Sequence, residues 1–430
     1  MSKATTVDFK IWEDRWDAVA LLMKQMQTAM ESTPQDGLSK TLKALQIFGE
    51  QQIDFFLDGF GREGKVYLEP SVLYPPDYVL SATLDQIIHD LNVIGRAWEQ
   101  RRENSIFQPM RTTLENADLL ANKALAPAIE KGILEHATVV TYFQKDTNVR
   151  IIPYAPVSFI GLPTTCHTTT RDLLAIPHEV GHYVYRNGRV RTGKFAGSRL
   201  DAALLQRYSG QASWRQAWME EIFADVYGAL IGGPVMALGF EDLLSAMPRD
   251  YFTYDDGEHP VAALRLGIYQ TVFKEIGVSD KVRKALTAQN KALQQEFGKP
   301  TTFTTADGVT LDLKQTQKEL AKIVRSLLDN ELADLPVTRW SGEIDAEDVV
   351  DALYKEFAVV AADPATRIAT KVAVAPSAAP QMLNQSLSWI DLIKDAVKAQ
   401  PNVTLPPKVW MALFESSGWA TEETSGNAHK

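Results

Sequence analysis

At 430 residues, with 45% hydrophobic and 23% charged residues, the chain has the composition of a globular protein long enough for two or three domains. Its net charge of −10 and pI of about 5.3 argue against nucleic acid or an anionic membrane as the main partner. A single cysteine, Cys166, excludes an internal disulfide and a cysteine-rich zinc site, and it fits a reducing compartment.

The beginning of the chain carries no recognisable targeting segment. No apolar core of signal-peptide length precedes Glu13 and Asp14. The sequence also has no stretch of about eighteen uncharged apolar residues, the length that spans a membrane. We therefore expect a cytoplasmic protein without a membrane partner.

The first third of the sequence is typical of helices. Apolar residues recur at helical spacing between residues 9 and 131, which predicts a helical N-terminal region over 1–135. Ser81 and Thr83 precede an apolar helical series and are expected at the N-cap of that helix. The period then changes, and residues 138–143, 149–154 and 157–161 predict short strands separated by turn residues and prolines.

The next predicted helix carries the motif with the clearest chemistry. Residues 177–187 read Pro-His-Glu-Val-Gly-His-Tyr-Val-Tyr-Arg-Asn, in which His178 and His182 are four residues apart. On a helix these imidazoles lie one turn apart on the same face and can bind one metal ion. Glu179 lies about 100° further round, where it can polarise a water without being a ligand. This is the His-Glu-x-x-His arrangement of zinc hydrolases; the alternative is a helix that carries two histidines by chance.

A catalytic zinc needs three protein ligands and one open position, so a third ligand is expected elsewhere. Residues 218–228 predict a helix on which Glu221 and Asp225 are again four residues apart. A carboxylate there can complete the site, and the acid one turn later can accept the free N–H of a ligating imidazole. The alternative is a solvated acidic face, but Ile222, Phe223 and Val226 make most of this helix apolar. Buried carboxylates need partners, which a metal and its histidines supply.

Over roughly residues 170–270, His-Glu-x-x-His followed by Glu-x-x-x-Asp on another helix resembles the gluzincin metallopeptidases. The resemblance implies that His178, His182 and Glu221 bind zinc. It implies Glu179 as the general base and Asp225 as the carboxylate behind the ligands.

Two alternatives for the third ligand stay open. Glu220 replaces Glu221 if the helix register slips by one residue, and Asp225 is a possible ligand in its own right. The resemblance further implies that an edge strand of the preceding sheet pairs with the extended substrate, and residues 157–161 are the favoured strand.

Residues 255–260 read Asp-Asp-Gly-Glu-His-Pro, and Arg265 follows six residues after His259. This is similar to the His-Pro…Arg segment of the gluzincin branch that includes the CAAX-processing endopeptidases, although Val261 stands where a second proline is expected. The likeness implies that His259 donates a hydrogen bond to the oxyanion and that Asp256 orients it. The alternative is that His259 caps the following helix, with Pro260 in its first turn. The rival oxyanion donors are three tyrosines: Tyr227, Tyr251 and Tyr254.

The rest of the sequence predicts helices with one hairpin. Alternation over residues 301–313 around Asp307 and Gly308 is a strong hairpin signal. Helices are predicted at 315–328 and 345–358, and more helices follow around Trp389 and Trp410.

Taken together, the sequence predicts an α+β, mainly helical fold, with a small sheet preceding a metal-binding helix and additional helical regions on both sides. The expected division is a helical N-terminal region (1–135), a zinc metallopeptidase region (136–330), a helical C-terminal region (331–420) and a disordered tail (421–430).

The expected activity is zinc-dependent hydrolysis of peptide bonds, with a peptide or protein as substrate and no nucleic-acid or membrane partner. One alternative is a helical binding or scaffold protein with a structural or vestigial metal site, whose fourth ligand would be His259 or His167. The other is a zinc hydrolase acting on a non-peptide amide or ester.

Overall fold

The computed structural model describes residues 7–31, 36–68, 73–135, 137–335, 340 and 344–367. Their contacts divide them into two compact units, one with residues up to 108 and 151–157, the other with 109–150 and residues from 158 onward. The predicted boundaries at 135 and 330 both lie inside the second unit. The fold is mainly helical with a small sheet, which confirms the predicted class. The helices predicted around Trp389 and Trp410 and the predicted tail lie outside the described residues.

Three long helices form the first unit: α1 (Phe9–Glu31), α2 (Asp36–Gly59) and α3 (Pro76–Glu99). Helix α3 begins earlier than predicted, because Pro76 occupies its first turn, where the missing N–H needs no partner. The predicted N-cap at Ser81 or Thr83 is therefore wrong. Thr83 instead lies inside the helix, and its hydroxyl donates to the Val79 carbonyl at 2.8 Å. The helix buries the face formed by Leu80, Leu84, Ile87, Leu91 and Ile94, as their spacing requires.

A three-stranded sheet has the strand order β1-β3-β2, with β1 at Thr138–Gln144, β2 at Asn148–Ile151 and β3 at Val157–Pro163. Strand β3 therefore lies in the middle, and all but its last residue are buried. The expectation that residues 157–161 form a free edge for a substrate strand is wrong, because both edges of β3 are already paired. A run that is apolar at nearly every position fits a strand covered on both faces, not an edge.

The outer edge of β1 is also closed, by side chains of helix α4 (Arg111–Glu130). Asn122 donates to the Val139 carbonyl at 2.9 Å and accepts from the Val139 N–H at 3.0 Å. Asp118 accepts from the Thr141 N–H at 2.7 Å. These contacts occupy the edge groups of Val139 and Thr141 that an added strand would need.

Helices make up most of the other described residues, and the hairpin predicted around Gly308 is confirmed. Its strands, β4 (Thr302–Thr304) and β5 (Thr310–Asp312), pair antiparallel with Phe303 opposite Leu311. Gly308 has φ of 86°, which a side chain disfavours. The element bounds are α5 (Ile176–Asn187), α6 (Leu200–Arg207), α7 (Ser213–Ala217), α8 (Met219–Gly232), α9 (Val235–Ser245), α10 (Ala262–Glu275), α11 (Asp280–Glu296), β4 (Thr302–Thr304), β5 (Thr310–Asp312), α12 (Leu313–Asp329), α13 (Val349–Ala362) and α14 (Pro364–Arg367).

Helices α5 and α8 cross at very short range, and glycines permit it. A Cβ atom added at Gly181 would lie 2.8 Å from the Ala224 Cα and 3.1 Å from the Ala224 carbonyl oxygen. A Cβ at Gly228 would lie 3.2 Å from the His178 backbone nitrogen. Larger residues at these positions would push the two helices apart, so this crossing sets how near their side chains come. None of the helices in the described ranges combines the length with the apolar character that crossing a bilayer requires.

Candidate metal centre

Helix α5 presents both histidines of the motif to one point. Its apolar residues, such as Val180 and Val184, are buried and fix the orientation of the helix. The Nε2 atoms of His178 and His182 then lie 3.1 Å apart, and the two rings are nearly perpendicular. Both side chains are largely enclosed, with 15% and 11% of their surface exposed.

Glu221 on the first turn of α8 meets this pair from the opposite side. Its Oε1 lies 3.3 Å from the His182 Nε2, and its Oε2 lies 3.4 Å from the His178 Nε2. In a tetrahedral zinc site with bonds of about 2.0–2.1 Å, neighbouring ligand atoms are about 3.3–3.4 Å apart. Each of the two nitrogens therefore has one oxygen of the Glu221 carboxylate at the distance expected between ligands of one ion. In the described part of the chain these three are the residues that could hold a metal ion together, with one donor atom from each lying within 4.8 Å of the others.

Two further carboxylates lie behind the imidazoles. Asp225 Oδ1 is 3.0 Å from the His178 Nδ1, although that N–H does not point straight along the line to the oxygen. Glu220 Oε1 is 3.1 Å from the His182 Nδ1. Protons on the Nδ1 atoms would place the Nε2 lone pairs toward the shared centre, the arrangement that a bound cation requires. The fallback assignment of Glu220 as the third ligand does not match this geometry, because Glu220 lies on the far side of the His182 ring.

Arg265 on helix α10 holds Asp225 and Glu221 of α8 in place, a role that its sequence position did not reveal. Its guanidinium donates to Asp225 from Nε at 2.9 Å and from NH2 at 2.7 Å, and NH2 also donates to Glu221 Oε2 at 3.2 Å. Tyr269 OH donates to Asp225 Oδ1 at 2.9 Å. Both oxygens of the fully buried Asp225 are therefore engaged, so it is not placed to be a metal ligand. The Phe240 ring covers the guanidinium at 4.5 Å.

The charges around the centre favour a cation within it. Burial alone would raise the pKa of Glu221, but His182, His178 and Arg265 together lower it well below its usual value. Burial likewise opposes ionisation of Asp225, yet Arg265 and His178 lower its pKa to about 2. Burial would lower the pKa of His178, whereas the contacts with Asp225 and Glu221 raise it to about 10. These directions favour ionised carboxylates of Glu221 and Asp225 at neutral pH, next to the cationic groups that face them.

His259 lies beside the group of three, not within it. Its Nε2 is 3.3 Å from Glu221 Oε1, while its Nδ1 is 2.7 Å from Asp256 Oδ2. Asp256 also accepts from the His259 backbone N–H at 2.8 Å, which fixes the turn. The alternative that His259 caps the next helix is wrong, because α10 begins at Ala262 with Val261 as its N-cap and no side-chain cap. Pro260 accordingly lies outside the first turn of α10.

Asp255, which the sequence did not single out for this purpose, anchors the loop that carries His259. This buried carboxylate accepts from Trp218 Nε1 at 3.0 Å, from Gly257 N at 2.9 Å and from Ala306 N at 2.9 Å. It thereby joins the start of α8, the loop and the hairpin turn. The adjacent Asp-Asp-Gly sequence indicates a turn, but its partners Trp218 and Ala306 are remote in sequence and could not be inferred.

The other residues that the sequence offered as a fourth ligand or an oxyanion donor differ in their surroundings. His167 is exposed and pairs with Thr113 Oγ1 at 3.0 Å, so it is not close to the centre. Tyr227 donates to the Ala124 carbonyl at 2.7 Å in the core. Tyr254 has 61% of its surface exposed. Tyr251 is half-buried, and burial followed by the charge of Asp256 raises its pKa.

The Cys166 thiol is buried, whereas the Glu179 carboxylate is half-buried. Burial together with Asp172 raises the pKa of the Cys166 thiol to about 12, so it is an unreactive packing residue. Glu179 lies on α5. Among the described residues, no hydrogen bond or ion pair engages its carboxylate.

No protein-family model matches the chain, and no characterised protein and no solved structure was found to be similar to it. Gluzincin membership therefore stays a prediction. The case for a metal centre depends on the geometry of the side chains themselves.

Proposed function

We propose that the protein is a zinc-dependent metallopeptidase of the gluzincin type. One observation carries the proposal: His178 Nε2, His182 Nε2 and the Glu221 carboxylate converge at separations of 3.1–3.4 Å. Two imidazoles and one carboxylate are the ligands of the thermolysin type of catalytic zinc site. Because this group holds three ligands, a tetrahedral ion would keep one position for water or substrate.

Glu179 is the residue to which we assign the proton transfer. Zinc, when bound, acts as a Lewis acid that lowers the pKa of water toward neutrality and polarises a carbonyl group. Glu179 adjoins the ligand His178 on α5, and no partner among the described residues competes for its carboxylate. It would accept the proton of the attacking water and deliver it to the leaving amine.

His259 is placed to stabilise the charge that develops on the substrate carbonyl oxygen. Both of its ring nitrogens face carboxylate oxygens, one of Asp256 and one of Glu221. The doubly protonated ring satisfies both contacts, and Asp256 keeps its orientation. In this form Nε2 carries a proton, which would turn from Glu221 to an oxyanion beside the metal when substrate is bound.

The proposal predicts that the purified protein contains about one zinc ion per chain and loses peptide hydrolysis when a chelator removes it. Zinc should restore the activity, because chelation removes the ion and leaves the three protein ligands in the chain. Metal analysis and cleavage of a mixed peptide library, before and after chelation, measure both. Protein that binds no zinc, or hydrolysis that survives complete chelation, would contradict the proposal. Hydrolysis restricted to non-peptide esters or amides would contradict the peptidase assignment and favour a zinc hydrolase with another substrate.

A second candidate function is a closed structural site, since His259 Nε2 lies as near to Glu221 as His182 Nε2 does, at 3.3 Å. The variant His259→Ala distinguishes a catalytic zinc site from a closed structural one. If His259 is an oxyanion donor, the variant keeps its zinc and kcat falls by about 10²–10³. Loss of most zinc affinity in His259→Ala would instead identify His259 as the fourth ligand of a structural metal.

A further inference from the structure

Glu220 has no part in the proposed chemistry, yet its carboxylate contacts a proposed zinc ligand. Its Oε1 lies 3.1 Å from the His182 Nδ1, and the same oxygen accepts from Arg186 Nε at 2.7 Å. Its side chain is 24% exposed and that of Arg186 is 33% exposed, so both are mostly enclosed. A carboxylate held this closely by an arginine has little freedom to leave the histidine.

The adjacent acids Glu220 and Glu221 enclose the His182 ring from two sides. Glu221 Oε1 faces Nε2 at 3.3 Å, and Glu220 Oε1 faces Nδ1 at 3.1 Å. Arg186 follows His182 by one turn of α5, so it holds Glu220 from the same helix that carries the ligand. His178 has a corresponding arrangement: Asp225 Oδ1 lies 3.0 Å from its Nδ1, and Arg265 NH2 lies 2.7 Å from the same oxygen.

We propose that Glu220 is the positioning residue of His182: it accepts the Nδ1 proton and thereby directs the Nε2 lone pair to the metal, while Arg186 holds Glu220. The inference rests on the proposed function, because it assumes that His182 binds zinc. Each ligating histidine then has its own carboxylate, and each carboxylate has its own arginine. Groups that orient a ligating imidazole typically contribute 10- to 100-fold to metal affinity.

Two variants of similar size test this role. Glu220→Met removes the acceptor and should weaken zinc binding by about 10- to 100-fold, as measured by competition with a chromogenic chelator. Glu220→Gln keeps an amide oxygen at the same place and should stay within about threefold of the wild type. In cobalt-substituted protein, the visible absorption bands should change in Glu220→Met and persist in Glu220→Gln.

Glu319→Met is the matched control. The Glu319 side chain has a similar exposure of 22%, and its Oε2 lies 3.2 Å from Arg215 NH2. This ion pair involves none of the residues of the metal centre. The control variant should leave zinc affinity within about twofold of the wild type. The inference is overturned if Glu220→Met binds zinc as tightly as the wild type, or if Glu220→Gln is as weak as Glu220→Met. The second result would mean that the ion pair with Arg186 matters and the orientation of His182 does not. Failure of the wild type to bind zinc would instead contradict the proposed function itself.

Discussion

Glu179→Gln is expected to abolish peptide hydrolysis while the zinc content of the protein stays unchanged. Glutamine keeps the size of the side chain but cannot accept a proton from the attacking water. General-base groups contribute about 10²–10⁴-fold to rate, so kcat should fall by that factor. Zinc should remain bound, since Glu179 lies outside the group of His178, His182 and Glu221. Metal analysis and steady-state kinetics on a cleaved peptide measure the two effects separately.

Glu258→Gln is the control for this experiment, because Glu258 is an exposed acid close in sequence to His259 and has no assigned role. The loss of its charge should alter kcat by less than about twofold, as expected for a solvated surface charge. Equal activity of Glu179→Gln and the wild type would show that another group takes the proton. Loss of zinc together with activity would show that Glu179 supports the metal, which its assignment as a base does not predict.

Arg265→Met is expected to destabilise the metal-free protein by about 3–5 kcal/mol, since removal of one partner from a buried ion pair leaves an uncompensated charge. Asp225 is fully buried, and Arg265 provides two of its hydrogen bonds. The same arginine also contacts Glu221. Urea unfolding of the chelated protein gives the change in free energy. Added zinc should restore part of it, because the ion neutralises Glu221 while Asp225 remains without its cation.

The surface pair of Arg325 and Glu275 provides the comparison for this variant. These side chains are 45% and 36% exposed and 2.8 Å apart. Arg325→Met should therefore lower the free energy of unfolding by less than about 1 kcal/mol. An unfolding free energy of Arg265→Met that matches Arg325→Met would contradict the buried network described for Asp225 and Glu221.

The spacing of residues along single helices was enough to predict which side chains of the candidate site share a helix face. His178 and His182 share a face because any helix brings residues four apart together, and the same holds for Glu221 and Asp225. The hairpin at Gly308 and the mainly helical class with a small sheet were likewise accessible, since turn chemistry and periodicity are local properties.

Contacts between distant segments could be learned only from the folded chain. Spacing could not choose between Glu220 and Glu221, because that choice depends on how α8 is rotated against α5. The close crossing at Gly181 and Ala224 sets this rotation, and it directs the two acids to different nitrogens of His182. Three other features could not be predicted for the same reason: the contacts of Arg265 with Asp225 and Glu221, the hydrogen bonds that Asp255 accepts, and the central position of β3 in its sheet. Each depends on which elements pack together, and packing is determined by the shapes of surfaces far apart in sequence.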